Sequence, residues 1–124
     1  MEEIFTLDRF LKAQAEAYPR ALSELRTGRK RSHWMWYLFP QLKGLGHSDM
    51  AEYYGIQDLA EAKAYWAHPV LSARLLELSQ VLLEQKGTAR EILGSPDDLK
   101  LRSSMTLFYR VSGHPVFDRV IRRF

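Results

Sequence analysis

The chain contains no cysteine. That excludes disulfides, thiolate metal sites and cysteine nucleophiles, and it fits a reducing compartment. There is no apolar run near the ~20 residues needed to cross a bilayer. The first eight residues carry two glutamates and no apolar h-region, so they do not read as a signal peptide. The expectation is a soluble, cytoplasmic protein with no membrane partner. Internal repeats, low-complexity tracts and linkers are absent. Acidic residues are missing from one interval: between positions 26 and 43 the only charged residues are Arg26, Arg29, Lys30, Arg31 and Lys43.

With 124 residues there is room for one ordinary domain, residues 1–124, and 46% hydrophobic residues suffice for a packed core. Net charge is +3, too small to indicate nucleic-acid binding without a concentrated patch.

Helix punctuation is frequent. Thr6 or Asp8 caps a first helix, which Tyr18-Pro19 interrupts; Pro19 then opens a second helix ending near Gly28. Ser48 caps a short helix closed by Gly55. Asp58 with Glu61, and Thr88 with Glu91, have capping-box spacing. Pro69 opens what reads as the longest helix, with Leu71, Leu75, Leu78 and Leu82 on one face. Gly87 and Gly94 fit helix ends. Ser95-Pro96-Asp97-Asp98 reads as a cap, a proline at the first helical position and two acids at the positive helix end. His114-Pro115 opens a last helix through Phe117, Val120 and Ile121. Trp34 to Phe39 has no strand partner and reads as irregular or partly helical. The sum is an all-α, compact single domain of about seven short helices with no substantial sheet. Phe124 falls inside a helical apolar pattern, as expected of a chain lacking a short C-terminal tail.

The stretch RKRSHWMWYLFPQ, residues 29–41, puts three adjacent cations beside four aromatic rings and a histidine. Arg and Lys offer charged donors to phosphate, and indoles offer faces on which a base can stack. Arg29, Lys30, Trp34, Trp36 and Gln41 are therefore candidate ligand-binding residues. His33, between cations and tryptophans, is a candidate proton carrier. A second region, SPDDLKLRSSMTLFYR at 95–110, adds Lys100 and Ser104 as ligand-binding candidates and Asp98 as a second catalytic one. The competing reading makes the tryptophans core and the basic run a solvated helix end.

Other chemistry lacks its motif. The four histidines show no metal-ligand spacing, and His68 and His114 each precede a proline, at helix starts. The paired acids are only Glu2-Glu3 and Asp97-Asp98. There is no G-x-S-x-G, no phosphate loop and no G-x-G-x-x-G. Neither a metal nor a cofactor is expected. The residues suggest a pocket for a phosphorylated nucleotide and name no reaction. The alternative is a non-enzymatic module for nucleic acid or a protein partner.

Three stretches, TGRKRSHWMWYLFPQLKGLGHS, AYWAHPVLSARL and GSPDDLKLRSSMTLF, occur in the order typical of the bacterial domain-of-unknown-function 1810 family, which this chain resembles along nearly its whole length. Members are often labelled calpastatin, yet nothing here reads as an inhibitor repeat. The resemblance implies a compact all-α fold. It also implies a short tail, of the pattern YGG…D…TL, that relatives carry after the position of Phe124. A fainter similarity in outline, to the NADAR group, implies an ADP-ribose-like ligand and assigns no catalytic residue.

Overall fold

The computed structural model describes residues 7–124, and the expected cap at Thr6 and the pair Glu2-Glu3 lie outside them. Eight helices follow in order: α1 (Asp8–Arg26), α2 (Met35–Leu38), α3 (Asp49–Tyr54), α4 (Leu59–Ala67), α5 (Pro69–Glu84), α6 (Ala89–Leu93), α7 (Asp97–Ser112) and α8 (Pro115–Arg123). The described residues contain no strand, only an isolated parallel bridge between Leu42 and Ile56. The all-α class is as expected.

Most of the punctuation acts as the chemistry dictates. Ser48 accepts the Ala51 N–H, and Asp58 accepts that of Glu61. Thr88 and Glu91 form a reciprocal capping box. At 58–61 the box is half-formed, because the Glu61 carboxylate is taken by the Gln57 N–H and by Arg9. His68 and His114 cap α5 and α8 through Nδ1, which accepts the Val70 and Val116 N–H respectively. Each following proline sits in the first turn, where its missing N–H has no partner to lose.

Two expectations at Pro19 and Ser95 are corrected. Pro19 does not divide a pair of helices; it lies inside α1, which at 19 residues is longer than the 16-residue α5. Phe10, Gln14, Ala17, Ala21 and Leu25 form one buried stripe through the proline, while Pro19 itself faces solvent. Packing of that stripe outweighs the lost hydrogen bond. Ser95 does not cap α7. Pro96 occupies the N-cap position, and the helix begins at Asp97.

A testable consequence concerns the exposed proline. Pro19→Ala restores a helical N–H and removes the ring clash, but also loosens the unfolded chain. The net expectation is a gain of ~1–2 kcal/mol, read as a higher urea midpoint with an unchanged slope.

A continuous core joins the helices. α1 packs on α5, α5 on α4 and α8, and α7 on α4 and α8. Tyr65 meets Phe10 edge-on at 5.1 Å and Phe108 at 5.1 Å, and Trp66 meets Phe117 at 5.4 Å. The short α2 is tied to α1 by the buried Gln14 amide, which donates to the Tyr37 carbonyl at 2.7 Å and to the Tyr65 hydroxyl at 2.9 Å. This places the basic-aromatic segment between the end of α1 and the start of α7.

Candidate functional site

The segment leaving α1 folds around one carboxylate. Glu24 lies on the buried stripe of α1, 8% exposed. Its Oε1 accepts the Arg31 N–H at 2.7 Å, the Ser32 N–H at 3.0 Å and the Trp34 indole N–H at 2.9 Å. Its Oε2 accepts the Ser32 hydroxyl. Burial alone would raise the carboxyl's pKa, but the hydrogen bonds from Ser32, Arg31 and Trp34 together bring it down to about 2. The turn from Arg31 to Trp34 is thus held by a buried anion and four donors.

Downstream, the first turn of α7 presents a second carboxylate. Asp97 Oδ2 pairs with Lys30 Nζ at 2.9 Å, and its Oδ1 with Lys100 Nζ at 3.1 Å. Both lysine side chains are largely covered. Lys30 Nζ stands 5.2 Å from the Trp34 ring centroid, and Lys100 Nζ 3.4 Å from that of Trp36. Cation and ring therefore alternate along the seam between the segment and α7.

A cavity of ≈ 390 Å³ opens at this seam; Lys30, His33, Trp34, Trp36, Asp97 and Lys100 contribute to its lining. A neighbouring cavity of ≈ 510 Å³ shares Trp36, Pro96 and Lys100 with it and adds Gln41 and Ser103. Such volumes suit small-molecule ligands.

Six of the nine candidate residues meet here: Lys30, His33, Trp34, Trp36, Gln41 and Lys100. They differ in what they offer. His33 is exposed, and its carbonyl accepts the Tyr37 hydroxyl at 3.1 Å. Trp36 is partly exposed, so its ring can meet a ligand. Trp34 is 1% exposed, packed near Phe39 and tied to Glu24, so its ring belongs to the core.

The other three lie apart. Arg29 is exposed and lines neither cavity; its backbone N–H goes to the Glu24 carbonyl. Asp98 lines a different cavity of ≈ 150 Å³ beside Met105, Val120 and Phe124. Its Oδ1 is buried with no hydrogen-bond partner among the described residues. Ser104 is fully buried in α7, and its hydroxyl likewise has none.

Glu24 and Asp97 are the residues that sequence reasoning did not assign to the site. Glu24 had a signal: it lies three residues from Ala21 and seven from Ala17, putting an acid on an apolar face. Asp97 was readable as an i, i+3 partner of Lys100, but its pairing with Lys30 spans 67 positions and has no local signature.

A family model described as "Protein of unknown function (DUF1810)" matches residues 4–124, so the resemblance read from the three stretches is borne out. Among solved structures, the conserved hypothetical protein Rv1873 from Mycobacterium tuberculosis is 48% identical and superposes with a TM-score of 0.93, over 95% of this chain and 86% of that one. A search of curated proteins returned no match.

Proposed function

Because this chain belongs to the DUF1810 family of proteins of unknown function, its chemistry has to be read from its own side chains, and we propose that the seam between residues 30–36 and the start of α7 binds a phosphorylated nucleotide of the ADP-ribose type. The observation that carries this reading is the pair of covered lysines, Lys30 and Lys100, sharing the single carboxylate of Asp97 on the wall of a cavity. An ammonium has three N–H donors, and each lysine places one of them on Asp97. The remaining donors and the excess positive charge suit a phosphate, with Arg31 also on the cavity wall. Trp36, common to both cavities, supplies a ring for the base, and Gln41 in the second cavity supplies an amide for its polar edge. His33 stands at the cavity in reach of a bound ligand; its proton-carrying role is part of the proposal.

A thermal-shift screen tests it, with ADP-ribose, NAD, mononucleotides, inorganic phosphate and short single-stranded RNA as probes. A specific ligand at a hundred times its Kd stabilises the fold by ~2.7 kcal/mol, several degrees in a domain this size. The expected result is a shift with one nucleotide class, lost in Lys100→Ala and reduced in Trp36→Ala. No shift with any nucleotide overturns the reading. A shift with RNA alone, collapsing steeply with salt, would instead favour a phosphate-backbone contact through exposed Arg26, Arg29 and Arg31.

A further inference from the structure

Beyond the lysine seam, α7 borders a fourth and larger concavity. This shallow groove, ≈ 610 Å³, is lined by Leu42, Leu45, Leu59, Leu99 and Leu107, together with Arg102 and Arg110. We propose that it docks an acidic, leucine-bearing amphipathic helix of a partner protein.

Exposed apolar surface is concentrated here. Leu45 is 59% exposed and Leu99 64%, and Leu59 joins them among the exposed large apolar side chains of the described residues. Contiguous exposed leucines in one concavity mark an interaction site more often than isolated ones do. The charge pattern selects the partner. No acid lines the groove, and neither arginine has an ion pair among the described residues. Arg102 and Arg110 stand eight positions apart on one helix, ~12 Å along its axis. Two carboxylates at the same spacing on a helix laid along α7 would meet both guanidinium forks, with its leucines between them against the leucines of the groove. A second copy of this chain fits less well: two-fold pairing through the groove would bring arginines toward arginines.

The test uses the full chain and a synthetic amphipathic peptide, fluorescently labelled, with leucines on one face and a glutamate at each end of that face, spaced as the two arginines are. Fluorescence anisotropy should show saturable binding that weakens at least ~tenfold in the Arg102→Glu, Arg110→Glu double variant. Both positions are exposed, so the variant should stay folded, its melting temperature lowered by no more than a few degrees by the acids placed near Asp98 and in the last turn of α7. The same peptide with lysines replacing its glutamates should bind the double variant better than the parent. Equal affinity for acidic and lysine peptides, or an unchanged affinity in the double variant, would overturn the proposal. So would a dimer in sedimentation that Leu99→Asp dissociates, or uptake by phosphatidylserine-containing vesicles without peptide binding.

Discussion

Glu24→Ala is expected to lower the free energy of unfolding by about 3–4 kcal/mol, although the residue belongs to no recognisable motif. Among the described residues, the substitution removes the one acceptor of the Arg31 N–H, the Ser32 N–H and hydroxyl and the Trp34 indole N–H. Orphaned buried donors cost ~1–3 kcal/mol each, reduced here by whatever water reaches the turn. Urea unfolding at neutral pH measures the loss. A pH series gives an independent check. The carboxyl's pKa is 4.5 in its ordinary state and about 2 in the fold. A depressed carboxylate pKa contributes stability that is complete above the ordinary value and disappears as pH falls through the folded one. At roughly 1.4 kcal/mol per pH unit, ~3 kcal/mol should vanish between pH 4.5 and 2. Glu24→Gln should lack that portion of the acid dependence. A Gln variant with the parent's acid limb would show that the turn does not depend on the charge.

Trp34→Ala should be at least as damaging, by ~3–5 kcal/mol as for other buried large aromatics. The indole is 1% exposed, lies beside Phe39 and donates to Glu24. Its loss therefore combines a cavity with an unmatched lone pair on a buried anion. Trp34→Phe is the milder change: an apolar ring stays in place while the N–H and part of the indole volume are lost, so an intermediate cost of ~1–3 kcal/mol is expected. A folded Trp34→Ala protein with the parent's urea midpoint would mean that the indole is not part of the core. Trp36→Ala, on a partly exposed ring, should affect ligand binding far more than stability.

These contrasts show what the sequence disclosed. Caps and stops were legible because their chemistry is local: Ser48, Thr88, and the His-Pro pairs at 68 and 114 act on N–H groups two or three residues away. Pro19 misled because its local preference was outweighed by a buried stripe extending on both sides of it. The cation-aromatic stretch was legible as a feature, but the different roles of Trp34 and Trp36 follow from tertiary burial. α7 explains why the second region divided. Successive helical residues point ~100° apart. Asp97 therefore turns toward the lysines, and adjacent Asp98 toward the small cavity beside Phe124. Ser104, seven residues on from Asp97 and near its face, sits at a level where α7 is buried. The acids that organise the site were hidden for opposite reasons: Glu24 precedes the basic run, and Asp97 reaches Lys30 only through the fold.

The most direct test of nucleotide binding at the lysine seam follows the indole N–H resonances of the protein's three tryptophans, ¹⁵N-labelled, during titration with ADP-ribose. A ligand against Trp36 should move that resonance saturably and leave Trp66, which packs on Phe117 and lines neither cavity, in place, with the response lost in Lys100→Ala. Saturable binding that moves Trp66 and leaves Trp36 unshifted, or no movement of any indole up to millimolar ligand, would contradict a nucleotide site there.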